Sequence, residues 1–361
     1  MKQIQLILLM VVAVMVMAVG RSEHKFNEPL YRPFGEDGGQ ESTSKDTIDW
    51  TQVTTARNYA DDGDVDLSGV SSWRLVGISK DGDYKIAGIY NGRIYLYMLS
   101  DDTWREVQPS GATNKTWIES AVISEDGQTI YVHAYNSYMY KSADGGGTWT
   151  IQSMTNDANL TSTTWRGIYA NSDCSVVIAI SENSSRWMYT TASGVWTILP
   201  LRYYGRGCGL SENGSVILLG QIAGTLQLST DSGANFEATS SLGVDNWVVC
   251  DVSADGTKLI AYAFGGKTYM STNSGADWAE FELSGSSTNR AWASGGGNSD
   301  FTAIIGGVNG ARLWSYIEST SKEERPAGDF DKSWLAVAVN YNGIHYIAGA
   351  NGSGLYTGEA H

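Results

Sequence analysis

One order of residues recurs along this chain, and it leaves few folds open. Laid over each other, "SSWRLVGISKDGDYKIAGIYNGRIYLYMLSDDTW" and "KTWIESAVISEDGQTIYVHAYNSYMYKSADGGGTW" run in step. Each has an aromatic start, a short apolar run, a polar turn often reading Asp-Gly, and a strongly apolar run. A Gly/Asn turn, a Tyr-rich run and the opening motif then follow. Equivalent starts fall at Trp73, Trp117, Trp165, Gly205, Trp247, Ala291 and Trp334, spaced by 44, 48, 40, 42, 44 and 43 residues. Solenoids also repeat, but this period is that of a four-stranded propeller blade.

The strands can be read inside each unit. The second runs, such as "TIYVHAY", "SVVIAIS" and "TKLIAYA", are almost continuously apolar. Strands covered on both faces read this way. The last unit stops after a third run at "GLYTGEAH", whereas "IDWTQVTT" at 48–55 resembles the fourth runs "TWREVQPS" and "TWTIQSM". The expectation is an all-β, seven-bladed propeller over 48–361 in which Trp50 to Thr54 completes the last blade. Exchanging a strand between the two ends of the chain leaves no open edge.

Composition agrees with strands and turns: 42 Gly, 13 Trp and 20 Tyr in 361 residues, with 5 Pro. A formal net charge of −15 argues against nucleic acid or an anionic membrane surface as a partner. Cys174, Cys208 and Cys250 make neither a disulfide framework nor a metal motif, and the histidines are scattered, so no metal or cofactor is expected. Cys208 and Cys250 hold the same place in neighbouring units and read as packed thiols.

Residues 1–20 are apolar from Ile4 to Val19 after a single early lysine. They suit a signal peptide, with Ala18-Val19-Gly20 as the cleavage site, or an N-terminal membrane anchor. Residues 21–47 are polar and read as an acidic linker. Either leader places the propeller on the non-cytosolic side of a membrane or on a particle surface. Sequons at Asn114, Asn159, Asn183, Asn213 and Asn351 are then acceptors in a glycosylating host.

Between the third and fourth runs lies "SADGGGTW" at 142–149. Ser142 and Asp144 can accept backbone N–H groups in a tight turn, Gly146 supplies a positive φ, and Trp149 starts the next strand. Ser229, Asp231, Gly233 and Phe236 repeat this spacing, as do Ser271, Asn273, Gly275 and Trp278. The pattern S-x-D-x-G-x-x-W resembles the Asp-box, or bacterial neuraminidase repeat, and the resemblance covers about 48–361. It implies a propeller of the kind found in sialidases, sortilin-type receptors, xyloglucan-cleaving glycosidases and photosystem assembly factors. In that family the box marks the fold and lies away from the central site, so it speaks weakly for function.

Enzyme readings find little support. A sialidase of that family carries its first arginine in an R-I-P motif, and neither Arg32 nor Arg93 fits it. Other glycosidases need two carboxylates across one cleft, and no such pair can be named. The run "DDGDVD" at 61–66 fails the EF-hand pattern, with Leu67 and Trp73 where Gly and Glu belong. The loops leading into first strands and joining second to third strands hold Arg57, Arg186, Arg202, Tyr203, Tyr204, Arg206 and Arg290. Aromatic and guanidinium groups in an acidic protein suit a pocket for a glycan or a peptide carboxylate. The expectation is a non-catalytic binding or structural propeller displayed on an envelope, a virus particle or an extracellular assembly, with a protein or glycan partner. The alternatives are an exported glycosidase-like hydrolase and a membrane-associated assembly factor.

Overall fold

The computed structural model describes residues 47–361 apart from 62, 153–163, 183–185, 202–204, 240–241, 284–287, 318–319, 325 and 327–331. The apolar leader and nearly all of the linker fall outside these residues, as do Asn159 and Asn183. Among the described residues there is no α-helix. None is therefore long and apolar enough to cross a membrane.

Each repeat is an antiparallel meander. In the first, Trp73–Ile78, Tyr84–Ile89, Ile94–Met98 and Thr103–Val107 pair in chain order. The third runs Trp165–Ala170, Val176–Ser181, Arg186–Thr190, Trp196–Ile198 in the same way. In the last repeat, Ser333–Val339, His345–Asn351 and Leu355–Ala360 supply three strands. The strand beside Leu355–Ala360 is Ile48–Val53, in register from Ile48 opposite Ala360 to Val53 opposite Leu355. The chain then turns into a hairpin, Thr55–Arg57 with Asp64–Asp66. Arg57 of that hairpin pairs in parallel with Arg105 on the outer strand of the first repeat.

The apolar core lies between repeats rather than within them. Leu75, Ile86 and Leu96 of the first repeat pack on Ile130 and Val132 of the second. Trp73 and Ala87 of the first pack on Ala336, Ile347 and Leu355 of the last. This is why the second strands are apolar throughout: Ala303–Val308 is buried at all six positions. The aromatic starts are anchors, with Trp73, Trp117, Trp165, Trp247, Trp292 and Trp334 at most 2% exposed. The sixth start is therefore Trp292, one residue on from Ala291. Trp292 takes the buried place, and Ala291 instead pairs with Phe264 of the preceding repeat.

The feature shared by all the repeats is the hairpin after the first strand. A Ser or Asn side chain opening it accepts the backbone N–H five residues on. The pairs are Ser79–Tyr84, Ser124–Thr129, Asn171–Val176, Ser211–Val216, Ser253–Lys258, Asn298–Ala303 and Asn340–His345, all between 2.8 and 3.0 Å. The residue after that Ser or Asn then reaches the next repeat. Amides of Glu125, Glu212, Ala254, Ser299 and Tyr341 donate to carbonyls of Ser172, Ala254, Ser299, Tyr341 and Lys80 at 2.7 to 3.1 Å. At the two remaining junctions, Asn171 Nδ2 donates to Glu212 O at 2.9 Å and Ala121 N to Val76 O at 3.1 Å. The bond from Tyr341 to Lys80 joins the last repeat to the first.

Individual positions of Ile48–Val53 should therefore differ sharply on substitution. Ile48→Ala empties a buried site and is expected to cost about 2–4 kcal/mol, whereas Thr51→Ala at an exposed position stays within about 0.5 kcal/mol. Urea midpoints of the two variants against wild type check this.

Candidate functional site

The first strands surround a central cavity of about 210 Å³. Ser79, Ile123, Asn171, Leu210, Asp251, Asn298 and Asn340 each face it from a different repeat. At the hairpin end Lys80 reaches across, its Nζ 3.2 Å from Glu125 and 3.7 Å from Glu212 and lying over the Tyr341 ring at 4.6 Å. These three partners come from the second, fourth and last repeats, so one ammonium narrows that end. In the cavity wall Asp251 accepts the amide of Gly297 at 2.9 Å. Its side chain occupies the space beside Gly296, where a Cβ would lie 3.1 Å from its oxygen. Enclosure by protein pushes its carboxyl up to about 6, against the pull of the Gly297 and Val252 amides.

The opposite end is built from β-bulges. The first strands of six repeats slip register just after their start, at Trp73/Leu75, Trp165/Gly167, Gly205/Cys208, Trp247/Val249, Trp292/Ser294 and Trp334/Ala336. A bulge re-aims the extra side chain. That residue is Arg74, Arg166 and Arg206 in the first, third and fourth repeats. In the second repeat Glu119 takes a positive φ of 66° and pairs in parallel with Leu75. Its carboxylate lies 3.8 Å from Arg166 and 3.7 Å from Arg206. Burial raises the Glu119 carboxyl, and Arg206 and then Arg166 oppose that. Arg166 also holds Glu182 at 2.5 Å and lies over Tyr135 at 5.0 Å. Tyr135 donates to Glu182 at 3.3 Å.

Arg74 stands apart from this chain of ion pairs. Its guanidinium covers the Tyr90 ring at 4.5 Å, and its buried Nε has no hydrogen-bond partner. Burial lowers its pKa, and the charge of Arg206 adds to that. His133 is fully buried with neither ring nitrogen bonded. Burial, and then Arg166, push it down to about 3, so it is neutral. Three guanidiniums thus face two carboxylates, leaving an excess of one positive charge in a chain of formal charge −15. Tyr90 in a turn, Val244 in a bend, and Phe264 toward the end of the strand Leu259–Gly266, at 39%, 71% and 44% exposed, add apolar surface at the same end.

Of the residues picked from sequence, Arg206 belongs to this mouth. Arg290 lies in the first strand of the sixth repeat with its guanidinium over Trp314 at 4.7 Å. Arg57 is elsewhere, lining an outer cleft with Asp64 at 3.8 Å. Its hairpin leaves the last strand and pairs at the outer edge of the first repeat, which takes it away from the first strands. Arg186 opens a third strand with its backbone opposite Ile180. Arg202, Tyr203 and Tyr204 lie outside the described residues. Arg74, Glu119, Arg166 and Glu182 were missed. The signal was present as Trp-Arg at two repeat starts and Gly-Arg at a third.

The turns between third and fourth strands are built as local scaffolding. Ser142 Oγ accepts the Gly146 amide at 2.8 Å, and Asp144 accepts Thr148 N at 2.8 Å. The carboxyl of Asp144 is held down to about 2, mostly by Thr148. Gly146, at φ 89°, leaves its carbonyl for Trp149 Nε1 at 3.0 Å. Ser229–Gly233 and Ser271–Gly275 repeat the bond at 2.9 Å, with Asp231 accepting Asn235 N and Asn273 accepting Asp277 N. Phe236 and Trp278 pack at the rims of neighbouring apolar clusters.

Among solved structures, YCF48 bound to D1 peptide superposes with a TM-score of 0.61, at 12% identity, over 87% of this chain and 97% of that one. The fold is a β-propeller. No protein-family model and no curated protein matches the sequence. At this identity the likeness establishes the propeller's architecture and leaves its site to be argued from its own residues.

Asp251 gives this propeller a testable pH signature. Its folded carboxyl, raised above the unfolded value, holds a proton that the unfolded chain has lost between about pH 4 and 6. Stability from this group is therefore present below that window and falls as pH rises through it. Asp251→Asn should flatten that decline, read as the difference in melting temperature between pH 4.5 and 7 for variant and wild type.

Proposed function

We propose that this chain is a non-catalytic, seven-bladed binding propeller, closed by its N-terminal strand, that holds a segment of a protein partner at the arginine-lined mouth. The observation that carries the reading is the set of bulged arginines, Arg74, Arg166 and Arg206, aimed at one opening from three repeats. The cavity lined from every repeat and the bond between Tyr341 and Lys80 support the seven-bladed ring. The spacing of its Ser/Asp/Gly turns supports membership of the Asp-box propellers. A structurally similar propeller, YCF48, is bound to D1 peptide, which supports a peptide-sized partner here.

The chemistry of the mouth suits an acidic or carboxylate-bearing segment. Arg166 and Arg206 are already tied to Glu119, whereas Arg74 has aromatic and like-charged neighbours. An incoming carboxylate is held by Arg74 and Arg206, while Tyr90 and Phe264 cover apolar side chains. Export or anchoring through residues 1–20, and display on a surface, form part of the same proposal. N-terminal sequencing of the mature protein tests that part.

Panning a random dodecapeptide library on the propeller tests the mouth. Wild type should enrich peptides bearing a carboxylate, with affinity falling as salt rises. Arg74→Ala with Arg206→Ala should weaken the selected peptides by about 1.5–3 kcal/mol, roughly ten- to hundredfold. Equal enrichment by the double variant would refute the assignment.

A further inference from the structure

A second concave site lies far from the mouth, on the outside of the seam between the last repeat and the first. It is a cleft of about 580 Å³, within the range of small-molecule sites. Its two walls are cross-strand rows. On the last repeat His345 pairs with Glu359, and Glu359 with Asp49. On the first repeat Lys85 pairs with Tyr97, and Tyr97 with Trp104. The Thr55–Arg57 hairpin crosses from one wall to the other and encloses a third side.

Lys85 is the decisive residue. It lies six positions after the Ser or Asn that opens its hairpin, and that place is occupied by Ile130, Val177, Ile217, Leu259, Ile304 and Tyr346 in the other repeats. All six are 0% exposed, and Lys85 is 7% exposed. The repeat thus asks for an apolar side chain packed into a seam. In this one seam it carries an ammonium, and the seam stands open. Burying a charge there is costly unless it is paired and hydrogen-bonded, so an ammonium at this position departs from the repeat at an energetic cost. Lys85 Nζ donates to Gly82 O at 2.8 Å and lies over Tyr97 at 4.6 Å. Burial lowers its pKa, while Asp83 and then Glu359 counter that effect. Gly82 O and the Tyr97 ring hold the ammonium in place without filling the cleft.

The surroundings narrow the ligand class. Asp49, Asp64, Asp102 and Glu359 outnumber Lys85 and Arg57 along the cleft, which disfavours a free anion. Lys85 at the floor disfavours a cation. Tyr97 donates to Asp102 at 2.9 Å and is tilted on Trp104 at 5.6 Å between ring centres, giving an apolar patch beside the carboxylates. Neutral ring compounds carrying several hydroxyls use all of these at once. Their hydroxyls donate to carboxylates, accept from an ammonium or imidazole, and leave C–H faces for the aromatic pair. We infer that this cleft binds a short neutral oligosaccharide, with Lys85 and Glu359 as its polar contacts and Tyr97 with Trp104 as its apolar wall.

The test uses maltotriose, cellotriose and chitotriose as probes, with inorganic phosphate and spermidine as class controls, read by saturation-transfer NMR and calorimetry on the full chain. At least one trisaccharide should bind wild type. Lys85→Met, which restores the apolar character of the other repeats, should weaken it at least tenfold with an unchanged or higher melting temperature. Glu359→Gln, at an exposed position, should weaken it similarly and does not depend on the Lys85 variant folding. Arg206→Ala at the mouth should leave it unaffected. Binding of none of the three sugars, binding undiminished in both cleft variants, or preference for phosphate or spermidine overturns the inference.

Discussion

The chain of inter-repeat hydrogen bonds around the central cavity is the constraint on which the other features rest. Each first strand ends in a hairpin whose opening Ser or Asn fixes the turn from inside. That leaves the next residue's amide or carbonyl pointing sideways, toward the neighbouring repeat. The pairing there runs through five backbone bonds of one kind and two substitutes. The last of these bonds returns to Lys80, so among the described residues the last repeat is tied to the first as neighbouring repeats are to one another. The radial sheets can then diverge outward, and large side chains fill the widening gaps between them.

Much of this was legible in the sequence because repetition gives each position several independent readings. The apolar second strands, the aromatic starts and the strand at Ile48–Val53 were all visible as recurrences. The turn motif that drew most notice, Ser142 to Trp149, is present in only some repeats and lies at the periphery. The more regular signal was shorter: the strings beginning at Ser79, Ser124, Asn171, Ser211, Ser253, Asn298 and Asn340. It is weak as text because Ser and Asn alternate in it, yet both offer one acceptor oxygen at the same reach, which is all the hairpin requires.

The sites were less legible because they depend on register. Whether Arg74 points to the mouth or into a seam depends on a bulge that shifts the strand by one residue, and one residue reverses the face. Loop membership was a poor guide for the same reason. Arg57 and Arg206 both flank strand starts in the sequence, but the Thr55–Arg57 hairpin belongs to the outer edge and carries Arg57 away. Ala291 was mistaken for the anchor in place of Trp292, an error of one position that a bulged strand conceals.

In a repeating architecture, positions with the same structural task carry similar side chains, and a departure calls for its own physical account. At the bulge the departure divides the ring: arginines stand in the first, third and fourth repeats, whereas Val248, Ala293 and Leu335 stand in the fifth, sixth and seventh. The mouth is thus charged on one side and apolar on the other. For the partner segment proposed above, this predicts one direction across the opening, its acidic group toward Arg74 and Arg206 and its apolar side chains toward Phe264 and Val244. Orientation then follows from a difference between repeats that are otherwise built alike, and it requires no movement of the scaffold.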